Sequence, residues 1–187
     1  PGRADPGSFF LYANTNKRSV ILDLETRAGR DGFRRLAATA DLVVETAAVG
    51  EWEARGLGYA GLRNLRPSLV WTALSGFGRS GPQASYASSD IVAAALGGSM
   101  HVTGEPEDPP VVVVGSQAWI AASTCAAVAS LIALHEARRS GRGQLVDVSA
   151  LEVMAAVTHI CGAAKYLEDD IVPRRFGSAL FSSVPSG

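Results

Sequence analysis

The stretch LVWTALSGFGRSGP, residues 69–82, combines the pattern of a buried β-strand with a glycine-rich turn. Its apolar, strand-favouring residues end at Ser75, and three glycines and a proline follow within the next seven positions. In open α/β sheets, ligands bind in the crevice outside the carboxyl ends of the strands, where glycines let backbone N–H groups approach an anionic or acyl ligand. The stretch therefore predicts a strand that ends in a binding loop; a plain connecting loop is the alternative.

Composition and charge limit the classes of function. The chain has 187 residues, of which 47% are hydrophobic and 19% charged, so it can bury a substantial core. The net charge of −1 argues against a broad electrostatic surface for nucleic acid. Neither cysteine, Cys125 or Cys161, has a neighbour at metal-ligand spacing, and we expect both to be small buried residues in a reducing compartment.

Targeting, membrane and metal signals are weak. No signal-peptide pattern opens the sequence, and the longest apolar run, residues 119–134, contains three hydroxyl side chains and is shorter than a membrane span. The histidines lie far apart without partners at ligand spacing, so no metal site is predicted at His101, His135 or His159. We therefore expect a soluble, cytoplasmic protein that binds neither nucleic acid nor a membrane.

Hydrophobic periodicity predicts an α/β fold. The first half of the chain alternates in the order β-α-β-α-β, with elements predicted at residues 19–24, 26–40, 41–45, 51–55 and 69–74. Because these strands are apolar without alternation, we expect a parallel sheet covered by helices on both faces. The second half predicts a helix from residue 90 that lasts until the glycine pair at residues 97 and 98. A strand or extended segment, a helix buried on most sides, a strand and a helix follow, at residues 111–114, 119–139, 144–148 and 149–166.

Local signals predict where several helices begin and end. Thr26 is a predicted N-cap, and Ser149 with Glu152 forms a predicted capping box. Gly141 is predicted to terminate the long helix.

Several blocks, in order, resemble family III CoA-transferases, the group that includes formyl-CoA transferase, carnitine CoA-transferase and 2-methylacyl-CoA racemase. The blocks are NKRSVILDL (16–24), ADLVVE (40–45), RGLGYAGLRNLRPSLVWTALSGFGRSGP (55–82), SDIVAAALGGSMHVTGEPEDPP (89–110), SLIALHEARRSGRGQLVDVSALEVM (130–154) and PRRFG (173–177). The resemblance implies a Rossmann-like open parallel sheet and two subunits threaded through each other as interlocked rings. A homodimer, or a heterodimer with a homologous subunit, is therefore expected.

The resemblance also places this chain within a larger subunit. A typical family chain has a first strand and helix before the Asn-Lys-Arg block and a smaller domain after the PRRFG block. Neither is found in this sequence. Residues 1–187 therefore resemble a partial large domain, the central part of a family subunit.

The family's nucleophile is missing from its expected position. Family members transfer CoA through anhydrides and thioesters on an aspartate at the start of the long helix, a role for which a carboxylate is suited. Counting back from Gly141 places that position at Trp119, and aligning on Gly115 places it at Ile120. Residues 111–129 contain no Asp, Glu, His or Tyr. The resemblance therefore implies no catalytic residue on this chain.

The racemase branch of the family needs, besides that aspartate, a histidine just before the helix that begins near residue 90. Ser89 stands in the histidine position. Asp90 follows it, and we interpret Asp90 as a cap of the helix that starts there rather than as a base. Both bases of the racemase reaction are therefore missing.

The resemblance assigns CoA contacts to three segments: Leu22, Asp23 and Leu24; Thr46 and Ala47; and Ser75, Gly76, Phe77 and Gly78. Thr46 and Ala47 replace an Asn-Phe pair of the family, so an amide donor and a stacking ring are lost. Lys17 and Arg18 are candidates for phosphate binding, with a solvated strand flank as the alternative. Coenzyme A or acyl-CoA is thus the expected ligand, and no permanently bound cofactor is expected.

Three hypotheses follow. The chain is interpreted as a degenerate half of a CoA-transferase that acts with an active partner subunit or domain. A non-catalytic acyl-CoA binding or scaffold protein is the second hypothesis. The third is an active transferase or racemase that uses residues outside this segment.

Overall fold

The computed structural model describes residues 7–159 and Arg175. Cys161, the end of the last predicted helix and most of the PRRFG block lie outside the described residues. The chain divides into two compact units, Pro1–Phe33 and Arg34–Gly187. The helices are α1 (Ser8–Ala13), α2 (Arg27–Thr39), α3 (Glu51–Ala54), α4 (Tyr59–Leu62), α5 (Asp90–Leu96), α6 (Ser99–Val102), α7 (Gln117–Ser140) and α8 (Ala150–His159). The strands are β1 (Leu42–Glu45), β2 (Val70–Ser75) and β3 (Leu145–Ser149).

The second unit contains an open parallel sheet with the strand order β1-β2-β3. The register pairs Val44 with Thr72, and Thr72 with Val146. β2 lies in the centre, and its first five residues are all buried, which explains its continuous apolar pattern. The α/β fold with a parallel sheet is thereby confirmed, and β2 is the strand predicted before the glycine loop.

In the first unit, the strand predicted at residues 19–24 is wrong. Residues 17–23 form neither helix nor strand, and Ile21 is 94% exposed. An apolar pattern predicts a strand only where a neighbouring strand supplies the ladder hydrogen bonds, and none among the described residues pairs with this segment. The chain instead turns at Asp23, whose carboxylate accepts a hydrogen bond from the Glu25 N–H at 3.0 Å.

The predicted helix ends are largely confirmed. The Gly29 N–H donates to Thr26 Oγ1 at 3.0 Å, so Thr26 caps α2. The Glu152 N–H donates to Ser149 Oγ at 3.2 Å, which is one half of the predicted capping box. Gly141 adopts the left-handed conformation, with φ of 72°, and ends α7.

The segments predicted at residues 90–98 and 111–114 differ in outcome. The helix predicted from Asp90 to its glycine pair is confirmed as α5, and the chain then turns at Gly98, with φ of 86°, into the short helix α6, which the sequence does not predict. Residues 111–113 form neither helix nor strand, so the strand alternative at residues 111–114 is wrong.

The long helix α7 is not buried on most sides, as the sequence predicts. Small residues form its buried stripe against β2, β3, α5 and α8: Ala118, Ala122, Ala126, Ser130, Ala133 and Ala137. Four of its larger apolar residues point away from this core and are each at least 49% exposed: Ile120, Val128, Leu131 and Ile132. Alanine side chains allow a close approach of the helix to the sheet, while the larger Trp119 and Leu134 are partly buried against the core.

The exposed face of α7 affects two further predictions. Cys125 is exposed, so the prediction that it is buried is wrong. This 24-residue helix is long and apolar enough to cross a bilayer. The apolar run at residues 119–134 is predicted to be shorter than a membrane span, but the helix extends beyond that run at both ends. Core helices of soluble proteins pass the same test, and here 28% of the apolar window is buried against the rest of the described chain.

Candidate functional site

The carboxyl ends of β1 and β2 border a cavity of about 330 Å³. Its walls are residues 46–49 after β1, residues 74–76 at the end of β2, residues 84–88 of the following loop, and Trp119 in the first turn of α7. This is the place where open parallel sheets bind ligands. A larger cavity of about 450 Å³ lies between α7, β3 and α8, and none of the residues predicted to contact CoA lines it.

The structure brings four of the predicted CoA contacts together: Thr46, Ala47, Ser75 and Gly76 all line the smaller cavity. Phe77 is not a lining residue, but its ring packs edge-on against Tyr86, which is one, with ring centroids 6.0 Å apart. Gly78 follows in the loop with φ of 80°. Leu22, Asp23 and Leu24 lie in the other unit, at the turn before α2.

Gly76 is required by a close contact. A Cβ atom at this position would lie 2.1 Å from both Cβ and Oγ of Ser88, so the far wall of the cavity packs directly on the Gly76 backbone. The Gly76 carbonyl accepts a hydrogen bond from the Leu151 N–H at 3.0 Å. The glycine loop is thereby attached to the start of α8 on one side and to residues 84–88 on the other.

Ser75 carries a buried hydroxyl beside the cavity. Its Oγ atom is buried and has no hydrogen-bond partner among the described residues, although the residue lines the cavity. A buried hydroxyl without a partner is unfavourable, so a ligand that bonds to it recovers that free energy.

Trp119 occupies the wall where the family's nucleophile is expected. Of the two positions that the sequence leaves open, Trp119 lines the cavity, whereas Ile120 is 49% exposed and is not a lining residue. The Trp119 backbone N–H donates to Asp90 Oδ1 at 3.0 Å. Asp90 therefore caps α7 and not α5, which corrects the prediction that it caps its own helix. A carboxylate at this helix N-terminus also suits the helix dipole.

The chemistry of the walls is neutral. Their polar side chains are hydroxyls, those of Thr46, Ser75, Ser85, Tyr86 and Ser88, and the remaining lining residues are apolar or glycine. No carboxylate, imidazole, thiol or amine is among the described lining side chains. The cavity can therefore hydrogen-bond an acyl or pantetheine-like group, but these walls supply neither a strong nucleophile nor a general base.

A charged network lies behind the cavity, and the sequence analysis missed it. Arg79 donates to Glu45 Oε1 at 2.8 Å through Nη1 and to Glu53 Oε1 at 2.6 Å through Nη2. The signal that could have found it is Glu45 itself, an acidic residue at the end of an apolar strand. Such a buried carboxylate needs a cationic partner.

Comparison with known proteins identifies the family. The sequence model of CoA-transferase family III matches residues 1–187, the full length of the chain. The chain belongs to CoA-transferase family III. The resemblance found in the sequence blocks is thereby confirmed, and with it the assignment of the fold.

Named relatives support this assignment. The chain is 44% identical over 146 residues to a subunit of the succinyl-CoA:(R)-benzylsuccinate CoA-transferase of Thauera aromatica, covering 78% of the chain and 36% of that protein. It is 31% identical over 179 residues to the human succinyl-CoA:glutarate CoA-transferase, covering 95% of the chain and 40% of that protein. The crystal structure of a CaiB/BaiF family protein from Brucella suis matches with a TM-score of 0.86 and 34% identity, covering 92% of the chain and 45% of that structure. The chain thus spans less than half the length of these family members.

Proposed function

We propose that this chain forms part of the CoA-binding crevice of a CoA-transferase and leaves the nucleophilic step to a partner subunit or another domain. The observation that carries the proposal is the cavity at the ends of β1 and β2, which has hydroxyl and apolar walls and Trp119 where an acid is expected. CoA transfer between carboxylic acids requires a nucleophile that accepts the acyl group. Because these walls lack one, the reacting carboxylate has to come from elsewhere in the assembly.

The names of the relatives suggest the substrate class. Relatives from Thauera aromatica, Agrobacterium fabrum and humans are named as CoA-transferases of succinyl-CoA or succinate. We therefore infer that a CoA thioester of a short dicarboxylic acid is the donor or the product.

The proposed assembly is a dimer with a second, homologous subunit in the cytoplasm. The relative from Thauera aromatica is named as a subunit, which is the observation behind a two-chain enzyme. The free thiol of Cys125 suits a reducing compartment.

A second candidate is an active transferase whose nucleophile lies outside residues 1–187. It is favoured by the short coverage, since the chain spans 36% and 40% of the two relatives named above. The third candidate is a non-catalytic acyl-CoA binding protein. It would use the same crevice to bind CoA but would not transfer CoA between acids. CoA binding is common to all three and is tested first.

Calorimetry with coenzyme A tests the crevice. In the full-length protein, Ala47→Trp places a large ring in the cavity wall beside Trp119, and we expect the CoA affinity to fall at least about tenfold. Ala60→Trp is the matched control, because Ala60 is exposed on α4 and does not line the cavity. Equal affinities of the Ala47→Trp variant and the unmodified protein would place CoA elsewhere, and absence of binding by the unmodified protein would refute the proposal.

A further inference from the structure

We propose that Arg79 is a positioning residue that clamps together the two loops forming the cavity. It acts through Glu45 and Glu53 and does not itself line the cavity. The consequence for ligand affinity rests on the proposed function, because it assumes that these loops bind CoA. The clamp itself is a statement about the loops alone.

Glu45 connects the first loop to the clamp. This last residue of β1 is buried, with its side chain 3% exposed. Its Oε2 atom accepts a hydrogen bond from the Ala47 N–H at 2.7 Å, and its Oε1 atom accepts one from Arg79 Nη1 at 2.8 Å. One carboxylate therefore binds the backbone of the loop after β1 and the guanidinium of the loop after β2.

Arg79 is held from three sides. Its Nη2 donates to Glu53 Oε1 on α3 at 2.6 Å, and its backbone N–H donates to Asp147 Oδ2 on β3 at 2.9 Å. The side chain is only 13% exposed. Gly78, directly before it, has φ of 80°, a backbone conformation that turns the loop toward β3 and that a side chain would disfavour. The position of the guanidinium is thus fixed by strands and a helix as well as by its own loop.

The chemistry of the clamp requires arginine. A planar guanidinium presents several N–H donors in a rigid fork and can bond two carboxylates at once, whereas the compact ammonium of lysine is a point charge on a flexible stem. If the guanidinium is removed, Glu45 stays buried without a counter-charge. Glu45 and Glu53 would then repel each other, and the loop at residues 46–49 would lose its fixed place against residues 76–88.

A purely structural role predicts a different result from a positioning role. If the ion pairs only stabilise the fold, their loss lowers the free energy of unfolding, and hydrogen exchange accelerates in the core strand as well. If they position the loops, exchange accelerates locally in the loops while the central strand β2 keeps its protection. Ligand affinity should fall together with the local change.

The test measures hydrogen exchange by mass spectrometry and CoA affinity by calorimetry on the full-length protein. For Arg79→Met, we expect exchange in residues 46–50 and 76–88 to rise about tenfold with unchanged exchange in Val70–Ser75, and CoA affinity to fall about tenfold. Arg79→Lys should change loop exchange and CoA affinity less than Arg79→Met does. Glu53→Gln should also accelerate loop exchange and weaken CoA binding, by a smaller factor. Arg139→Met, which breaks an exposed pair with Glu136 on α7, is the matched control and should change neither.

The outcomes separate the clamp from the proposed function. Unchanged loop exchange in Arg79→Met, or a uniform rise that includes β2, would overturn the clamp. If Arg79→Met fails to fold, Glu53→Gln decides, because Glu53 is 47% exposed and its loss leaves the buried pair intact. Unchanged loop exchange in Glu53→Gln would also overturn the clamp. Faster loop exchange in a protein that does not bind CoA would confirm the clamp and refute the proposed function.

Discussion

The contact between Gly76 and Ser88 shows how single residues shape the cavity. Gly76 directly follows the central strand, and no space is left for a Cβ atom between its backbone and the Ser88 side chain. The constraint is steric and does not come from the backbone conformation, since Gly76 is not among the glycines with positive φ. Any side chain at residue 76 has to move the wall formed by residues 84–88.

Gly76→Ala is expected to destabilise the protein by about 1–3 kcal/mol through overpacking and to weaken CoA binding. The second substitution Ser88→Gly removes the atoms that the new methyl group would meet, so the double variant should recover much of the lost stability. Urea unfolding monitored by circular dichroism measures the free energy of unfolding of the single and the double variant. A double variant no more stable than Gly76→Ala would show that the clash with Ser88 is not the cause.

Sequence spacing predicts where Trp119 lies but not what holds it there. Counting from Gly141 places the family's nucleophile at residue 119, and the structure puts that residue in the cavity wall. The cap from Asp90 joins residues 29 positions apart, and the ion pair of Arg79 with Glu45 joins residues 34 positions apart. Such contacts depend on how loops meet in space, which local patterns do not encode.

At the scale of elements, α7 is held to the sheet by a stripe of small residues and one polar contact. Ser130 Oγ lies 2.7 Å from Thr72 Oγ1 on β2 and 2.6 Å from the Ala126 carbonyl. Because the single Ser130 hydrogen is donated to that carbonyl, Thr72 is the donor to Ser130. Both side chains are buried, Thr72 completely, so the Thr72 hydroxyl depends on Ser130 as its acceptor.

A double-mutant cycle tests this contact. Ser130→Ala leaves the buried Thr72 hydroxyl without an acceptor and should cost about 1–3 kcal/mol, while Thr72→Val with Ser130→Ala removes both polar groups and should cost less than the sum of the single changes. Thr124→Val, an exposed threonine on the same helix, should stay within about 0.5 kcal/mol of the unmodified protein. Additive single effects in urea unfolding would contradict a coupled pair.

The bounds of the helices and strands could be predicted more fully than the surfaces that pack against them. Periodicity and caps place α2, α7 and the three strands of the sheet within a few residues of their observed bounds. The same patterns fail for residues 19–24 and for the exposed face of α7, with Leu131 and Ile132 each 66% exposed. In both cases an apolar pattern shows only that a surface needs a partner, and it does not show which surface supplies it.

At the scale of the whole molecule, the described residues form part of the family's scaffold. The sheet, the glycine loop and the cavity at its edge are present, and the family assignment covers residues 1–187. At the wall position where the family resemblance predicts a carboxylate, the chain has the indole of Trp119. The proposed function therefore requires the reacting group to lie outside this chain segment.

Mass spectrometry of trapped acyl-enzyme tests that claim most directly. A carboxylate nucleophile attacks the thioester carbonyl, forms an anhydride and releases CoA thiol, and hydroxylamine then converts the anhydride to a hydroxamate. The full-length protein is incubated with succinyl-CoA, alone and with a homologous subunit that carries the aspartate, treated with hydroxylamine and digested. The account predicts no hydroxamate on any carboxylate within residues 1–187, including Asp90, and modification only on the partner subunit or on residues outside this segment. A hydroxamate on an aspartate or glutamate within residues 1–187 would contradict it.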